Sequence, residues 1–166
     1  IPGERIQGRT GEAIAADMIR RAEASDAQAL SELLTQLGYP SSVSEITARL
    51  EALRAFPSAV AVVAVNGFGE VVGLVTGHLF PSIHDNQLVA WLTTLVVLED
   101  ARGAGIGSSL VTHIEQWAMR NGARRLALTS GAHREEAHAF YERRDYERTG
   151  LRFAKHLYPN VKGPPV

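Results

Sequence analysis

The hydrophobic and polar positions of this chain switch between two periodicities, one typical of strands and one typical of helices. Apolar and polar residues alternate from Met18 onward, which predicts a first strand. Leucines then recur at helical spacing up to Leu37, and Ser25 and Gln28 ahead of them have the spacing of a capping box. We therefore expect a first helix that Gly38 ends in the left-handed conformation.

A second helix and a strand pair follow. The helix is predicted to begin near Ser42, which has Glu45 three residues on in the spacing of a capping box. Residues 59–65 and 71–80 are rich in β-branched side chains, which favours strands. Between them lies Asn66-Gly67-Phe68-Gly69, and Asn and Gly tolerate the positive φ of hairpin turns. The two strands are expected to pair antiparallel.

The C-terminal half continues the alternation of strands and helices. Its predicted elements are a strand at 87–97, a long helix that runs from Ile106 and stops at Asn121 and Gly122, a strand at 125–129, a helix at 134–144 and a strand hairpin at 146–157. Strands and helices in this order predict an α/β protein, a mixed sheet covered by helices.

Length and composition favour a globular protein with one domain. The 166 residues are 45% apolar and 21% charged. We expect a single domain at 18–158, an N-terminal extension or expression remnant at 1–17 and a tail at 159–166. The chain holds no cysteine, which excludes disulfides and thiolate chemistry and fits the cytoplasm. No apolar run is long enough to span a membrane, and a pI near 6.7 argues against a nucleic-acid partner.

The charges are divided unevenly along the chain. Residues 1–100 hold 6 Lys and Arg against 12 Asp and Glu, a balance of −6, whereas residues 101–166 hold 11 against 6, a balance of +5. A basic half suits a polyanionic ligand and an acidic half suits a cationic substrate, although scatter over a solvated surface explains the same counts.

A glycine-rich turn lies between the predicted strand at 87–97 and the long helix. Its sequence is Arg102-Gly103-Ala104-Gly105-Ile106-Gly107. The first N–H groups of a helix have no internal partner and favour anions. Glycines let a phosphate approach these groups closely, and Arg102 adds a positive charge. The turn is therefore a candidate pyrophosphate site.

Two common phosphate motifs do not match this turn. A nucleoside-triphosphate P-loop needs a Lys before Ser or Thr, and the lysines of this chain are at 155 and 162. A dinucleotide fingerprint needs its third glycine one residue later, where Ser108 stands, and an acidic residue about 20 residues further on is missing.

The spacing R-x-x-G-x-G from Arg102 resembles the acyl-CoA signature of the GNAT superfamily of N-acyltransferases. A second match is Ala137-His138-Ala139-Phe140-Tyr141, followed by Tyr146, because this family carries an F-Y pair on the corresponding helix. The resemblance covers nearly all of residues 18–157. It implies a mostly antiparallel central sheet of about six to seven strands, flanked by about four helices.

The resemblance also implies a cosubstrate, acetyl-CoA, and its contacts. The pantetheine arm would extend one strand of the sheet and bond backbone groups of Leu95, Val96 and Val97. The pyrophosphate would accept from backbone N–H groups of Arg102, Gly103, Ala104, Gly105, Ile106, Gly107 and Ser108. A homodimer is a further family-level expectation. No metal is expected.

Acetyl transfer to an amine needs a polarised thioester, an unprotonated nitrogen and a proton for the departing thiolate. Tyr141 matches the family position of the proton donor, and a phenol suits this role because it stays protonated at neutral pH. A packing aromatic on an amphipathic helix is the alternative interpretation of Tyr141.

The general base is not evident, because the stretch that often carries a carboxylate is Ala90-Trp91-Leu92-Thr93-Thr94 here. A water held by Thr93 or Thr94 could relay the proton, or one of three neighbouring side chains could reach the amine. Those three are His78, His84 and Asp85.

We expect an N-acetyltransferase that acts on the primary amine of a small cationic molecule. The nearest alternative acts on a protein N-terminus or a lysine, and a wide acidic groove would favour it. An enclosed pocket lined by Tyr39, Phe80 and Trp91 would favour the small molecule. A third hypothesis is a non-catalytic acyl-CoA sensor, supported by the missing strand carboxylate and opposed by the presence of Tyr141.

Overall fold

The computed structural model describes residues 18–155 and residue 157, and these form a mixed α/β fold with one central sheet. The strands lie in the spatial order β1-β2-β3-β4-β5 and are β1 (Ile19–Arg21), β2 (Ala59–Val65), β3 (Val71–Ser82), β4 (Asp85–Val97) and β5 (Ala123–Leu128). The helices are α1 (Ala27–Leu37), α2 (Val43–Ala55), α3 (Ile106–Arg120) and α4 (Glu135–Glu142). Strands β1 to β4 pair antiparallel, and β5 pairs parallel to β4.

Three local signals in the sequence are confirmed. Gly38 ends α1 with a φ of +98°, the left-handed conformation expected of it. Ser42 caps α2, and its backbone N–H and side chain both bond Glu45. The antiparallel pairing of β2 and β3 is as predicted. In the turn between them the positive φ falls on Gly69, at +81°, and not on Asn66, whose side chain instead accepts two backbone N–H groups at 3.0 Å.

The capping box predicted at Ser25 and Gln28 is wrong. The reciprocal bonds are made instead by Glu23 and Asp26 around a short 3₁₀ turn that precedes α1. Arg20 on β1 donates to both carboxylate oxygens of Asp26 at 2.8 Å. Arg20 lies six residues before Asp26, outside the helix, and a spacing rule applied to the helix alone cannot detect it.

Two apolar layers cover the two faces of the sheet. One layer packs α3 against the sheet through Leu110, Val111 and Ile114, which are fully buried. The other packs α1 and α2 against the opposite face, with Leu30, Leu33, Ile46 and Val63 at its centre. Because α3 lies directly on β3 and β4, its N-terminus is held beside the end of β4.

The strand hairpin predicted at 146–157 is wrong for the described part of this segment, because no strand forms within residues 146–155. Leu151 and Phe153 are 86% and 90% exposed. These two apolar positions follow Gly150 and cover no strand among the described residues, so the short alternation buries no surface there. The described sheet therefore has five strands rather than the expected six to seven.

Candidate active site

Strands β4 and β5 stay together over only part of their length. Their parallel pairing extends as far as Leu92, which lies opposite Leu128 at the end of β5. Strand β4 continues beside β3 as far as Val97, opposite Gly73. The register between β3 and β4 shifts at Thr93, and such bulges bend a strand. The last residues of β4 thus have a strand on one side and an opening, hereafter the β4–β5 opening, on the other.

The backbone groups that face this opening follow from the register. Leu98 donates its N–H to the Val72 carbonyl at 2.9 Å, so this pair is hydrogen-bonded across β3 and β4. Antiparallel pairs alternate, which directs the groups of Val96 toward β3 and those of Leu95 and Val97 away from it. Of the three residues expected to bond the pantetheine arm, Leu95 and Val97 therefore face the opening.

Two side chains donate hydrogen bonds to the carbonyl of Val97. Gln36 Nε2 donates to it at 2.9 Å and Arg102 Nε at 3.3 Å. Gln36 Oε1 also accepts the N–H of Glu99 at 2.9 Å. Among the described residues, three backbone groups face the opening without a hydrogen-bond partner. They are the N–H and the carbonyl of Leu95 and the N–H of Val97. Sequence analysis missed Gln36, because its partners lie 61 and 63 residues away.

The glycine turn has the backbone of an anion-binding loop. Gly103 and Gly105 both have a φ of +81°, and an added Cβ on either would meet no atom within 4 Å. The first helical hydrogen bond of α3 runs from Ser109 N–H to the Gly105 carbonyl at 3.0 Å. The N–H groups that precede it and point out of the helix belong to Ile106, Gly107 and Ser108. The N–H of Arg102 is already bonded to the Glu99 carbonyl at 3.2 Å.

Gly107 shows where the start of α3 meets its neighbours. A Cβ on this residue would lie 3.8 Å from both Phe140 Cζ and Val97 Cγ2. These are ordinary van der Waals distances, so the start of α3 lies against α4 and the end of β4 without requiring a glycine at this position. Phe140 and Tyr141 thus lie beside the glycine turn.

Tyr141 lies half-buried next to this contact. Its ring meets Phe140 and Tyr146 edge-on, with centroids 5.2 Å and 5.5 Å away. Burial raises the pKa of Tyr141, and the nearby charge of Arg134 opposes the rise. Among the described residues its hydroxyl has no hydrogen-bond partner, whereas the hydroxyl of Tyr146 donates to Glu115 at 2.9 Å. Tyr141 thus keeps its proton and has it free to donate.

One sheet face beyond α1 and α2 is open and carries polar and aromatic side chains. Gly77 of β3 faces Ile114 of α3, so its neighbours Thr76 and His78 face the opposite side. Phe80 follows on that same side, and it is 41% exposed. This face is the candidate acceptor site.

Two pairs of side chains on this face join β3 to β4. The hydroxyls of Thr76 and Thr93 are 2.7 Å apart, and Thr93 is exposed. The rings of Phe80 and Trp91 have centroids 6.4 Å apart, and His78 lies opposite Trp91 in the strand register. Thr93, His78 and the two aromatic residues are thus brought together.

The other candidates from the sequence are more scattered. Thr94 lies opposite Thr76 and is half-buried. His84 is exposed in the hairpin between β3 and β4. Tyr39 follows α1 and is 41% exposed, with no ring contact to Phe80 or Trp91 among the described residues. The side chain of Asp85 lies outside the described part of the structure.

Ser130 is a further polar residue that sequence analysis missed. It follows β5 where the two strands diverge, and its buried hydroxyl has no hydrogen-bond partner among the described residues. Beside it, the carbonyl of Gly131 lies 3.0 Å from His138 Nε2 and accepts the N–H of Arg134 at 3.0 Å. A single Ser carries no signal in a sequence, because its burial depends on the fold.

Within the described residues, no group of three or more His, Asp or Glu side chains could hold a metal ion. None of the helices described above has the length and apolar character that crossing a bilayer requires.

Comparison with known proteins agrees with this architecture. The model of the acetyltransferase (GNAT) family matches residues 27–146. The chain therefore belongs to this family, the GNAT superfamily of N-acyltransferases.

Individual proteins are similar to this chain in sequence or in fold. An aminoalkylphosphonate N-acetyltransferase from Salmonella typhimurium is 37% identical over 89 residues, which are 54% of this chain and 58% of that protein. The uncharacterized N-acetyltransferase YhfO of Bacillus subtilis is 30% identical over 78% of this chain and 89% of its own length. The crystal structure of a transcriptional regulator from Bacillus halodurans has the same fold, with a TM-score of 0.77 at 22% identity over 84% of this chain and 98% of that one.

Proposed function

We propose that the chain is an acetyl-CoA-dependent N-acetyltransferase that passes the acetyl group directly to the primary amine of a small cationic molecule. One observation carries this proposal, the β4–β5 opening directly beside the glycine turn. Unpaired strand groups and helix N–H groups are there next to each other, as an extended amide chain ending in a pyrophosphate requires.

The residues present fit acetyl-CoA. Leu95 and Val97 offer backbone groups to the pantetheine amides, and the open space at Gly103 and Gly105 suits the pyrophosphate. The orphaned hydroxyl of Ser130 lies near the end of β5, where the strands diverge, and would gain a partner from an amide there.

In the proposed reaction the amine nitrogen attacks the thioester carbonyl carbon, and the bond from that carbon to sulfur breaks. Tyr141 donates its proton to the sulfur as the thiolate leaves. The nitrogen loses a proton to water, and solvent returns a proton to Tyr141. The exposed Thr93 hydroxyl, held by Thr76, can orient the water that accepts the proton from nitrogen. His78, His84 and Asp85 stay as alternative bases.

Two observations favour a cationic acceptor, and a third favours a small one. Phe80 and Trp91 form an aromatic wall on the open sheet face, and aromatic faces attract cations. The first 100 residues, which include this face, carry the acidic excess of 12 against 6. The Salmonella relative is named for an aminoalkylphosphonate, a small amine that also bears an anionic phosphonate. Its name favours a small acceptor over a protein N-terminus or lysine, and it does not bear on a positive charge.

The test is a thiol-release assay with acetyl-CoA and a panel of amines. The panel contains a diamine, an aminoalkylphosphonate and a peptide that has a free N-terminus and a lysine. We expect turnover with a small amine and a loss of that turnover in Trp91→Ala, with acetyl-CoA binding unchanged. Faster turnover of the peptide would favour the protein substrate. Acetyl-CoA binding without turnover of any amine would favour the sensor.

A homodimer stays a prediction from the resemblance, and a cytoplasmic location stays a prediction from the absence of cysteine. Size-exclusion chromatography with light scattering tests the dimer.

A further inference from the structure

Gln36 lies on the last turn of α1 and is exposed, yet its amide makes two long-range hydrogen bonds. Its Nε2 donates to the Val97 carbonyl and its Oε1 accepts the Glu99 N–H, both at 2.9 Å. One side-chain amide thus satisfies an acceptor and a donor two residues apart. A residue of a parallel neighbouring strand, whose N–H and C=O point to the same side, would bond the end of β4 in the same way.

These two bonds hold the junction between β4 and the glycine turn. On one side of this junction Leu98 donates to Val72 of β3, and on the other Gln36 contacts Val97 and Glu99. The orientation of the Val97 peptide determines where the strand end points. The 3₁₀ turn from Glu99 to Ala101 then leads directly into the glycines.

The other polar side chains of α1 do not reach the sheet. Among the described residues, Gln28 bonds Glu32 one turn along the helix, and Thr35 bonds the Ser31 carbonyl. Ser31 bonds the Ser41 carbonyl in the following loop. Gln36 is therefore a specific tie from α1 to the cofactor side of the sheet, and Gln28 is a natural control on the same helix.

We propose that Gln36 is a positioning residue for acetyl-CoA, which holds the end of β4 and the start of the glycine turn in the geometry that binds the cosubstrate. This inference rests on the proposed function. Gln36 acts through the backbone of Val97 and Glu99. It should therefore change the affinity for acetyl-CoA and leave the chemical step nearly unchanged.

The experiment compares Gln36→Leu, which removes both hydrogen bonds at similar size, with Gln28→Leu. Calorimetric titration with coenzyme A gives Kd, and steady-state kinetics separate KM from kcat. For Gln36→Leu we expect Kd and the KM for acetyl-CoA to rise roughly tenfold, the order expected for two lost hydrogen bonds, with kcat within about threefold of wild type. Gln28→Leu should match wild type.

Leu34→Ala is the control for simple destabilisation, since it weakens the packing of α1 but keeps the amide of Gln36. If Leu34→Ala lowers Tm as much as Gln36→Leu and raises Kd equally, the positioning role is overturned. An unchanged Kd in Gln36→Leu overturns it as well. Failure of the wild-type protein to bind coenzyme A would instead reject the proposed function, so the two failures are distinguishable.

Discussion

At the scale of single residues, two neighbouring tyrosines have different surroundings. The Tyr146 hydroxyl is committed to Glu115 at 2.9 Å, and Arg144 donates to the same carboxylate at 3.0 Å. The Tyr141 hydroxyl has no such partner among the described residues, although its ring is held edge-on between two others. Tyr146 is thus a structural residue, and Tyr141 is the candidate proton donor.

Tyr141→Phe should lower kcat by roughly 10² to 10⁴-fold, because the ring and its packing stay while the proton is lost. The Kd for coenzyme A should change little. Since burial raises the pKa of Tyr141 above its ordinary value of 10.0, the donor stays protonated and wild-type kcat should hold up to about pH 10. Stopped-flow measurement of the chemical step checks both expectations.

Tyr146→Phe is the matched control, and it should lower Tm with a much smaller effect on kcat. The assignment of Tyr141 is rejected if Tyr141→Phe retains a near-normal rate while chemistry limits turnover.

Asp26 makes a pH-dependent contribution to stability. Hydrogen bonds from Arg20, together with the Glu23 N–H, hold the pKa of Asp26 below its ordinary value of 3.8. Because the pKa is lowered in the folded state, the stabilisation is complete above pH 3.8 and is lost as the pH falls through the folded-state pKa. Asp26→Asn should therefore lower the free energy of unfolding at pH 7 by about 1 to 3 kcal/mol.

Urea denaturation at pH 7 and at several values below pH 4 measures this difference, which should shrink toward low pH. Glu51→Gln, at an exposed position of α2, serves as the control. A difference for Asp26→Asn that is the same at every pH would show that the carboxylate charge is not the cause.

At the scale of elements, the sequence predicts features that depend on neighbouring residues better than features that depend on residues brought together by the fold. Ser42 and Gly38 were predictable because a cap depends on atoms within a few residues. Gln36 was not, since its partner on β4 lies 61 residues away and is brought close only by the fold. Asp26 was missed because Arg20, six residues before it on β1, lies outside the helix that a capping rule considers. The glycine turn was identified as a candidate site from its spacing alone. The hairpin predicted at 146–157, of which no strand forms within the described residues 146–155, shows the converse, because alternation predicts a strand only where a neighbour can cover it.

The glycine turn and the end of α3 allow a comparison within one helix. Gly105 and Gly122 have φ values of +81° and +82°, and neither would bring an added Cβ within 4 Å of another atom. Gly105→Ala and Gly122→Ala should therefore destabilise the protein by a similar amount, roughly 1 to 2 kcal/mol. Only Gly105→Ala should also raise the Kd for coenzyme A, by roughly tenfold or 1.4 kcal/mol.

Thermal denaturation and calorimetric titration of both variants check this pair. Equal Kd values for the two variants would mean that the turn only begins a helix.

At the scale of the whole molecule, charge and strand order divide the protein into two regions. Residues 101–166 carry a balance of +5 and include the glycine turn and α3, whereas residues 1–100 carry −6 and include the open sheet face. The proposed polyanionic cosubstrate and cationic acceptor would each meet a favourable field. The domain boundary at Met18 stays a prediction, which activity of a chain that starts there would test.

Arg102→Ala should weaken coenzyme A binding and also reduce its dependence on salt, because a charge is removed. Charges on the surface are screened within roughly 8 Å at physiological ionic strength. In Gly105→Ala the affinity should fall while the salt dependence stays as in wild type. Titrations from low to high NaCl measure both slopes, and equal slopes for wild type and Arg102→Ala would contradict a role for this charge.

The alternation of backbone groups along the end of β4 has a consequence for amide hydrogen exchange. The N–H of Val96 is directed at β3 and should exchange slowly, while those of Leu95 and Val97 face the β4–β5 opening and should exchange fast. If acetyl-CoA completes the sheet there, coenzyme A will slow the exchange of Leu95 and Val97 and leave Val96 nearly unchanged. Three consecutive amides then report on the missing strand, with the middle one as their internal reference.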